Sequence, residues 1–365
     1  MEQVRSVEAA NQPMLEIAQL KRRLGPGFVL GPIDLSIAPK EIVCLVGHSG
    51  CGKSTLLRLI AGIEQLDSGT LRLQGRELAG AGGFVEPEQR SIGFVFQDYA
   101  LFPHLTIEQN VMFGLRKWSK AQARDRAKEL LGVTALSAMA DRYPHMLSGG
   151  EQQRVALARA LAPEPSIVLM DEPFSNLDRD LRERVRSDTL ALLRRTNTTA
   201  IIVTHDPEEA LSTGDRVVLM KGGRVVQSGT GRELYDSPAD PYSTEFFSTF
   251  TRVPGVYHKG HVHTVLGAFP CTLNVPEGGQ AVAYIRPQAV YPTVAGNALT
   301  GVVRSRSFRG EIEQLELIVD GLESPLIMRT TQHLDVVEGK LRFRIEEDSV
   351  FTFVASDEQQ FSGIS

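Results

Sequence analysis

"EIVCLVGHSGCGKSTLLRLIAGI", residues 41–63, decides the fold. Its centre has the spacing G-x-x-x-x-G-K-[ST]. A short apolar run precedes that centre, and a segment of helical spacing follows it. In this strand–loop–helix setting the spacing reads as a phosphate cradle rather than a chance glycine-rich turn. The candidate phosphate-binding set is Gly47, His48, Ser49, Gly50, Cys51, Gly52, Lys53, Ser54 and Thr55. Backbone N–H groups of such a loop point inward, and the following helix adds its positive N-terminal end. Lys53 is expected to meet the β- and γ-phosphates, and Ser54 to ligate Mg²⁺. Cys51 lies inside the cradle, beside a helix N-terminus and Lys53, so a lowered thiol pKa is expected there.

A site of this kind needs a second half, an apolar strand ending in carboxylates. "IVLMDEP" (167–173) supplies it. Asp171 would hold the water shell of Mg²⁺, and Glu172 would polarise the attacking water. "EIVCLV", "IVLM" and "AIIVT" (200–204) read as buried parallel strands. "EQQRVALARALA" and "RDLRERVRSDTLALLRR" read as helices between them, which argues for an α/β layer architecture. "RVVLMKGGRVVQSG" (216–229) reads as a hairpin turning at Gly222–Gly223. In "LSGGEQQRVALARAL" (147–161), Ser148 and Glu151 form a capping box. Gly149 and Gly150 leave N–H groups free at the start of that helix, a setting for an anion. The Asp171 half-site already has a cradle, which leaves Ser148, Gly149 and Gly150 open either to plain helix capping or to another molecule's nucleotide.

The chain has 365 residues, 42% apolar and 23% charged, with a net charge of -5. That length allows two or three domains, and that charge gives no basic field for nucleic acid. No apolar run approaches the ~20 residues of a membrane span. The first residues lack the pattern of a secretory signal. Three cysteines, Cys44, Cys51 and Cys271, form no C-x-x-C pair, so a reducing, cytoplasmic setting is expected.

"GHSGCGKST", Gln97 in "GFVFQD", "LSGGEQQR", "IVLMDEP", "SNLD" (175–178) and "VTHD" (203–206) stand in the order found in ATP-binding-cassette ATPases. The resemblance covers about residues 14–240. It implies an α/β P-loop NTPase cassette with a helical subdomain at about 98–160, working with ATP and Mg²⁺. It implies a head-to-tail dimer, with each ATP between the P-loop of one copy and the Ser148–Gly150 segment of the other. His205 would contact the γ-phosphate, Gln97 would reach the metal and the attacking water, and Asp178 would link the two sites. Such cassettes stack adenine on an aromatic residue in an early stretch that reads "KRRLGPGF" (21–28) here. Leu24 stands at the expected place, and Phe28 is the candidate replacement.

After "SPADPYSTEFFSTFTRVPG" the pattern changes to short strand-like runs, "HVHTVL", "CTLNV", "AVAYI", "GVVRSRSF", "QLELIV", "LIMRTT", "KLRFRI" and "VFTFV". Residues 245–357 therefore read as a small antiparallel β domain. It resembles the OB-like barrel of importer ATPases, "YIRPQAV" (284–290) being the similar stretch. The resemblance implies a peripheral protein on the cytoplasmic face of the inner membrane. Its partners would be transmembrane permease subunits and, indirectly, a solute-binding protein, with no nucleic acid. Tyr99, Leu101 and Phe102 are candidates for a permease-docking groove. The wording of "ALFPHLT" and "ELYDSPAD" is most similar to ferric-iron importer ATPases, with sulfate, polyamine and phosphonate importers as alternatives. His261 and His263 share one face of a strand-like segment, the pattern of a solvated strand or of a metal sensor. Non-transport cassettes are the competing class. They would require a long coiled coil or a second cassette, and neither is in the sequence. A P-loop kinase would leave "LSGGEQQR" and "SNLD" unexplained.

Overall fold

The computed structural model describes residues 12–355, apart from 274, 294, 295, 297, 333 and 335–338. The chain divides into two units, the first ending at Ala239 and the second beginning at Asp240.

The first unit is built on a six-stranded sheet. Its strands run in the order Arg224–Gly229, Arg216–Lys221, Ile42–Val46, Thr199–Thr204, Ile167–Asp171, Ile92–Val95. All neighbours are parallel except the first pair, the hairpin at Gly222–Gly223, where both glycines take positive φ. A side chain at Gly223 would meet the Val29 carbonyl oxygen at 2.4 Å, so only glycine fits the turn. Strands Ile42–Val46, Ile167–Asp171 and Thr199–Thr204 are buried along their whole length, as covered parallel strands must be.

Strand side chains alternate between two cores. Val43, Leu45, Ile167, Leu169, Ile201 and Val203 face one side, with Leu56 and Leu57 of the helix Lys53–Ala61 and Leu15, Leu30 and Leu71 of a second sheet. That second sheet is antiparallel and five-stranded, from Phe28–Ile37 and Leu15–Leu24 through Ser68–Leu73 to two short strands ending at Phe84. Val168, Met170, Ala200 and Ile202 face the other side, with Val111, Leu130 and Leu157 of three helices. Those helices are Ile107–Met112, Lys120–Val133 and Gly149–Leu161. Each opens on a capping box: Thr106 with Gln109, Ser119 with Gln122, Ser148 with Glu151. Tyr99, expected in a docking groove, is instead 5% exposed and belongs to this core. Its ring is apolar enough to fill the space under the helices. Leu101 and Phe102 are half-buried.

The second unit carries the helix Pro241–Phe247 and two five-stranded antiparallel sheets, a fold that fits an OB-like barrel. Val253, Ala283, Leu315, Met328 and Phe343 from both sheets meet in one core. Strands form at Gln280–Ile285, Leu299–Phe308, Glu313–Ile318, Leu326–Thr330, Lys340–Ile345 and Val350–Val354. "CTLNV" departs from its reading. Residues 271–273 are not strand, Asn274 lies outside the described residues, and the pairing segment is Gly267–Pro270. Residues 356 and 357 of the expected domain also lie outside the described residues. His261 and His263 are exposed on either side of buried Val262. His258 Nδ1 lies against the Glu277 carboxylate, and its ring lies 5.8 Å from that of His263. No group of three or more metal-ligating side chains occurs among the described residues.

Candidate functional site

The loop after strand Ile42–Val46 turns through three glycines with positive φ: Gly47 at 150°, Gly50 at 80° and Gly52 at 102°. Gly52 is the N-cap of the helix Lys53–Ala61. A side chain there would meet Leu30 Cδ1 at 2.6 Å, and one at Gly47 the Met220 carbonyl oxygen at 2.3 Å. Close packing and backbone conformation both demand glycine. Lys53 is 5% exposed, and its Nζ donates to the carbonyls of Gly47 at 2.6 Å and His48 at 3.1 Å. Its ammonium is thereby held inside the curve of the loop. Ser49, Gly50, Gly52, Lys53, Ser54, Thr55 and Glu172 line one cavity of about 310 Å³, together with Leu24 and Phe28. Leu24 and Phe28 are cross-strand partners at the end of their hairpin, so both candidates for the adenine contact stand at the same wall.

Cys51 corrects its expectation. Burial pushes its thiol pKa up, outweighing the nearby Lys53 ammonium that acts to lower it. The side chain is 6% exposed and belongs to the apolar core, with Sγ 3.8 Å from Lys53 Nζ.

Strand Ile167–Asp171 delivers the carboxylates. Asp171 is 7% exposed and accepts a hydrogen bond from Ser54 Oγ at 2.8 Å. Burial raises its pKa, opposed by the Ser54 bond. Glu172 takes φ 46° just after the strand, a left-handed conformation of the kind found at functional sites. Its Oε2 lies 3.0 Å from His205 Nδ1 and 3.5 Å from Gln97 Nε2. Gln97 Nε2 is also 3.4 Å from Ser175 Oγ. Three loops at the carboxyl ends of adjacent parallel strands thus converge on one carboxylate.

The Ser54 hydroxyl and Asp171 carboxylate form an all-oxygen pair next to the cradle. That fits Mg²⁺, a hard cation bound through one or two protein oxygens and substrate phosphates. Three- or four-ligand sites of the zinc kind are not seen among the described residues.

Ser148, Gly149 and Gly150 do not line the cradle's cavity. Ser148 Oγ caps its helix, accepting from Glu151 N at 3.4 Å and donating to Glu151 Oε2 at 2.8 Å. A side chain on Gly150 would meet Val185 at 2.9 Å, and one on Gly149 would meet Leu177 at 3.2 Å. The glycines let this helix approach the segment around Asp178, which caps the helix Arg179–Arg195 by accepting from Leu181 N at 3.0 Å.

Sequence reasoning assigned no role to Asn176, whose Nδ2 donates to the Gln97 carbonyl at 3.0 Å and ties the two loops. It lay inside the quoted "SNLD", so the signal was present. Glu209 was missed altogether. It is 5% exposed, accepts from Thr204 Oγ1 at 2.8 Å, and burial raises its pKa. Thr204 Oγ1 in turn accepts from Asp206 N at 3.1 Å, so the bend carrying His205 is held from behind.

The sequence profile of the ABC transporter family matches residues 30–175. A sulfate/thiosulfate import ATP-binding protein of Chromobacterium violaceum is 42% identical over 324 residues, 86% of this chain and 86% of the relative. An Fe(3+) ions import ATP-binding protein of Rhodococcus jostii is 41% identical over 318 residues, 87% of this chain and 91% of the relative. The chain belongs to the ABC transporter family. It is an importer ATPase, binding ATP and coupling its hydrolysis to transport. A solved structure of cbiO1 from Clostridium perfringens, part of the ABC transporter complex cbiONQ, superposes with a TM-score of 0.56 at 30% identity. It covers 61% of this chain and 91% of its own length. Among the described residues of this cassette protein, no helix is long and apolar enough to cross a membrane.

Proposed function

We propose that Glu172 is the general base of this ATPase. The observation that carries the reading is the convergence of His205 and Gln97 on the Glu172 carboxylate, beside the Ser54–Asp171 pair. In this reading the P-loop amides and Lys53 hold the β- and γ-phosphates. Ser54, Asp171 and Gln97 face Mg²⁺, which when bound supplies positive charge to the phosphate oxygens. Glu172 Oε2 takes a proton from water as the water oxygen attacks the γ-phosphorus. The bond from that phosphorus to the β-bridging oxygen breaks, and ADP leaves. His205, 3.0 Å from the same carboxylate, keeps it oriented and contacts the γ-phosphate. Phe28, with Leu24 beside it, offers its face to adenine.

The functional unit in this reading is a head-to-tail dimer, with Ser148, Gly149 and Gly150 of one copy closing over the other's ATP. That they do not line their own cradle's cavity supports that division of labour. The dimer drives permease subunits from the cytoplasmic face of the inner membrane, and a solute-binding protein acts through the permease. Ferric iron is the proposed solute, with sulfate or thiosulfate the second reading. Relatives named for each cover this chain almost equally, at 41% and 42% identity. Uptake of radiolabelled iron and of radiolabelled sulfate by cells with and without the protein separates the two.

The dimer mechanism is tested with Ser148→Arg in one chain and Glu172→Gln in the other. In a shared-site dimer both lesions fall in one site, so one site stays whole and occludes ATP normally. In self-contained monomers every site is damaged. Full activity of a strict monomer, undiminished by Ser148→Arg, would refute the mechanism.

A further inference from the structure

Gln97 sits in a turn closed by a hydrogen bond from Tyr99 N to the Phe96 carbonyl at 2.9 Å. The chain leaves that turn through two residues in left-handed conformation, Tyr99 at φ 61° and Ala100 at φ 45°. Neither is glycine. Left-handed backbone at two successive side-chain-bearing residues persists only where its surroundings enforce it. Burial holds the Tyr99 ring, and one guanidinium holds both carbonyls. Arg159 Nη2 donates to the Tyr99 carbonyl at 2.8 Å, and Nη1 donates to the Ala100 carbonyl at 2.7 Å. The cation also lies 5.5 Å from the centre of the Phe102 ring. Phe102 is fixed in turn by fully buried Asn110, which accepts from its N–H at 2.8 Å and donates to its carbonyl at 3.1 Å.

Arg159 belongs to the helix Gly149–Leu161, eleven residues after Ser148. At 1.5 Å per residue, one stiff helix of about 16 Å joins the capped Ser148 end to the turn that carries Gln97. We infer that Arg159 is a positioning residue for hydrolysis, a fork that holds the exit of the Gln97 turn and ties Gln97 to the helix bearing Ser148. Here each of the two carbonyls takes its own nitrogen of one planar fork, which fixes their spacing as well as their charge. A lysine ammonium supplies the charge but not the planar pair of donors. The inference rests on the reading that Gln97 takes part in hydrolysis.

The test is a double-mutant cycle on the full-length protein, with kcat, the KM for ATP and thermal stability measured for each variant. Arg159→Lys is expected to lower kcat about tenfold, the scale of one lost charge-assisted hydrogen bond, with KM within about twofold. In a Gln97→Ala background the same substitution should cost nothing further, because Arg159 acts through Gln97. Ala100→Gly alone should leave kcat unchanged, since Ala100 is exposed and glycine accepts its φ without help. Added to Arg159→Lys, it should restore much of kcat. A purely structural arginine would lower stability without moving this cycle, and glycine at 100 would not rescue it. Additive losses from Arg159→Lys and Gln97→Ala, or no rescue by Ala100→Gly, overturn the inference while leaving Gln97 in the site. Full activity of Gln97→Ala overturns both. If Arg159→Lys fails to fold, Ala100→Pro, which blocks the left-handed turn, takes its place in the cycle, with the same coupling expected and additivity again decisive.

Discussion

The two units solve burial in opposite ways. In the first, strands Ile42–Val46, Ile167–Asp171 and Thr199–Thr204 are covered on both faces, and their polar residues stand only at the strand ends, next to the loops. Groups far apart in sequence, such as Gln97, Glu172 and His205, are brought within 3.5 Å there. In the second unit every sheet is antiparallel, and each strand has one face inward. Lys340–Ile345 alternates exposed lysine and arginine with buried leucine and phenylalanine. Charged groups pair locally across strands, as Arg306 does with Glu313, instead of converging. Outward positions even carry apolar residues: Phe308 is 77% exposed and Ile318 is 49% exposed. A doubly covered sheet has a rigid rim on which reactive groups can be fixed. A half-covered barrel spends its side chains on closing its own core.

That contrast predicts where substitutions act. The largest effect belongs to Glu172→Gln, which keeps the shape but removes the base. Turnover should fall by about 10²–10⁴-fold, with ATP binding retained, as read by single-turnover hydrolysis and a binding assay. An equal loss from a substitution at Phe308 would erase the distinction between the units.

Asp171 should give the next largest response. Its pKa is raised by burial, and Mg²⁺ requires the carboxylate. Apparent Mg²⁺ affinity should therefore fall as pH is lowered, beginning above the usual carboxylate range and approaching about tenfold per pH unit below the raised pKa. A carboxyl with a raised native pKa favours the fold below its unfolded pKa, and that contribution is lost as pH rises through the native value. Asp171→Asn should accordingly raise the melting temperature at neutral pH while weakening Mg²⁺ binding and removing its pH dependence. A lower melting temperature would count against the burial argument.

Phe28→Ala should weaken ATP binding by about 5- to 150-fold if the ring stacks on adenine, the ~1–3 kcal/mol scale of base–aromatic contacts. An unchanged dissociation constant would return Phe28 to packing against Gly52. At Cys51, modification by a maleimide at neutral pH should be slower than for a free thiol, because burial raises the pKa. Rates that match or exceed a free cysteine at pH 7 would restore the opposite expectation. The smallest effect is expected from Phe308→Ser, an exposed position in the second unit. ATPase kcat and KM should stay within about twofold and stability within about 0.5 kcal/mol.

Much of the cassette is legible from its residues. The helix Arg179–Arg195 coincides with the run read as helical, because its polar and apolar positions repeat at 3.6 and Asp178 caps it. Lys53, Asp171 and Glu172 follow from the strand–loop setting of their motifs, whereas Gln97 and His205 are named only through the resemblance to ATP-binding-cassette ATPases. The second sheet of the first unit was not legible. Leu15–Leu24 and Phe28–Ile37 mix charged and apolar residues, and their pairing with Ser68–Leu73 is long-range.

The sequence by itself determined the parallel strands and the glycine loop, because local spacing and periodicity dictate them. Tertiary structure alone decided the signs and distances. Lys53 beside Cys51 argues for a lowered thiol pKa until burial is counted, and burial wins. Tyr99 reads as a docking residue until helices cover it. Arg159 is one more arginine on a helix until two left-handed carbonyls, about sixty residues earlier in the chain, fold against its fork. Desolvation and close packing depend on what lies nearby in space, and sequence order does not record that.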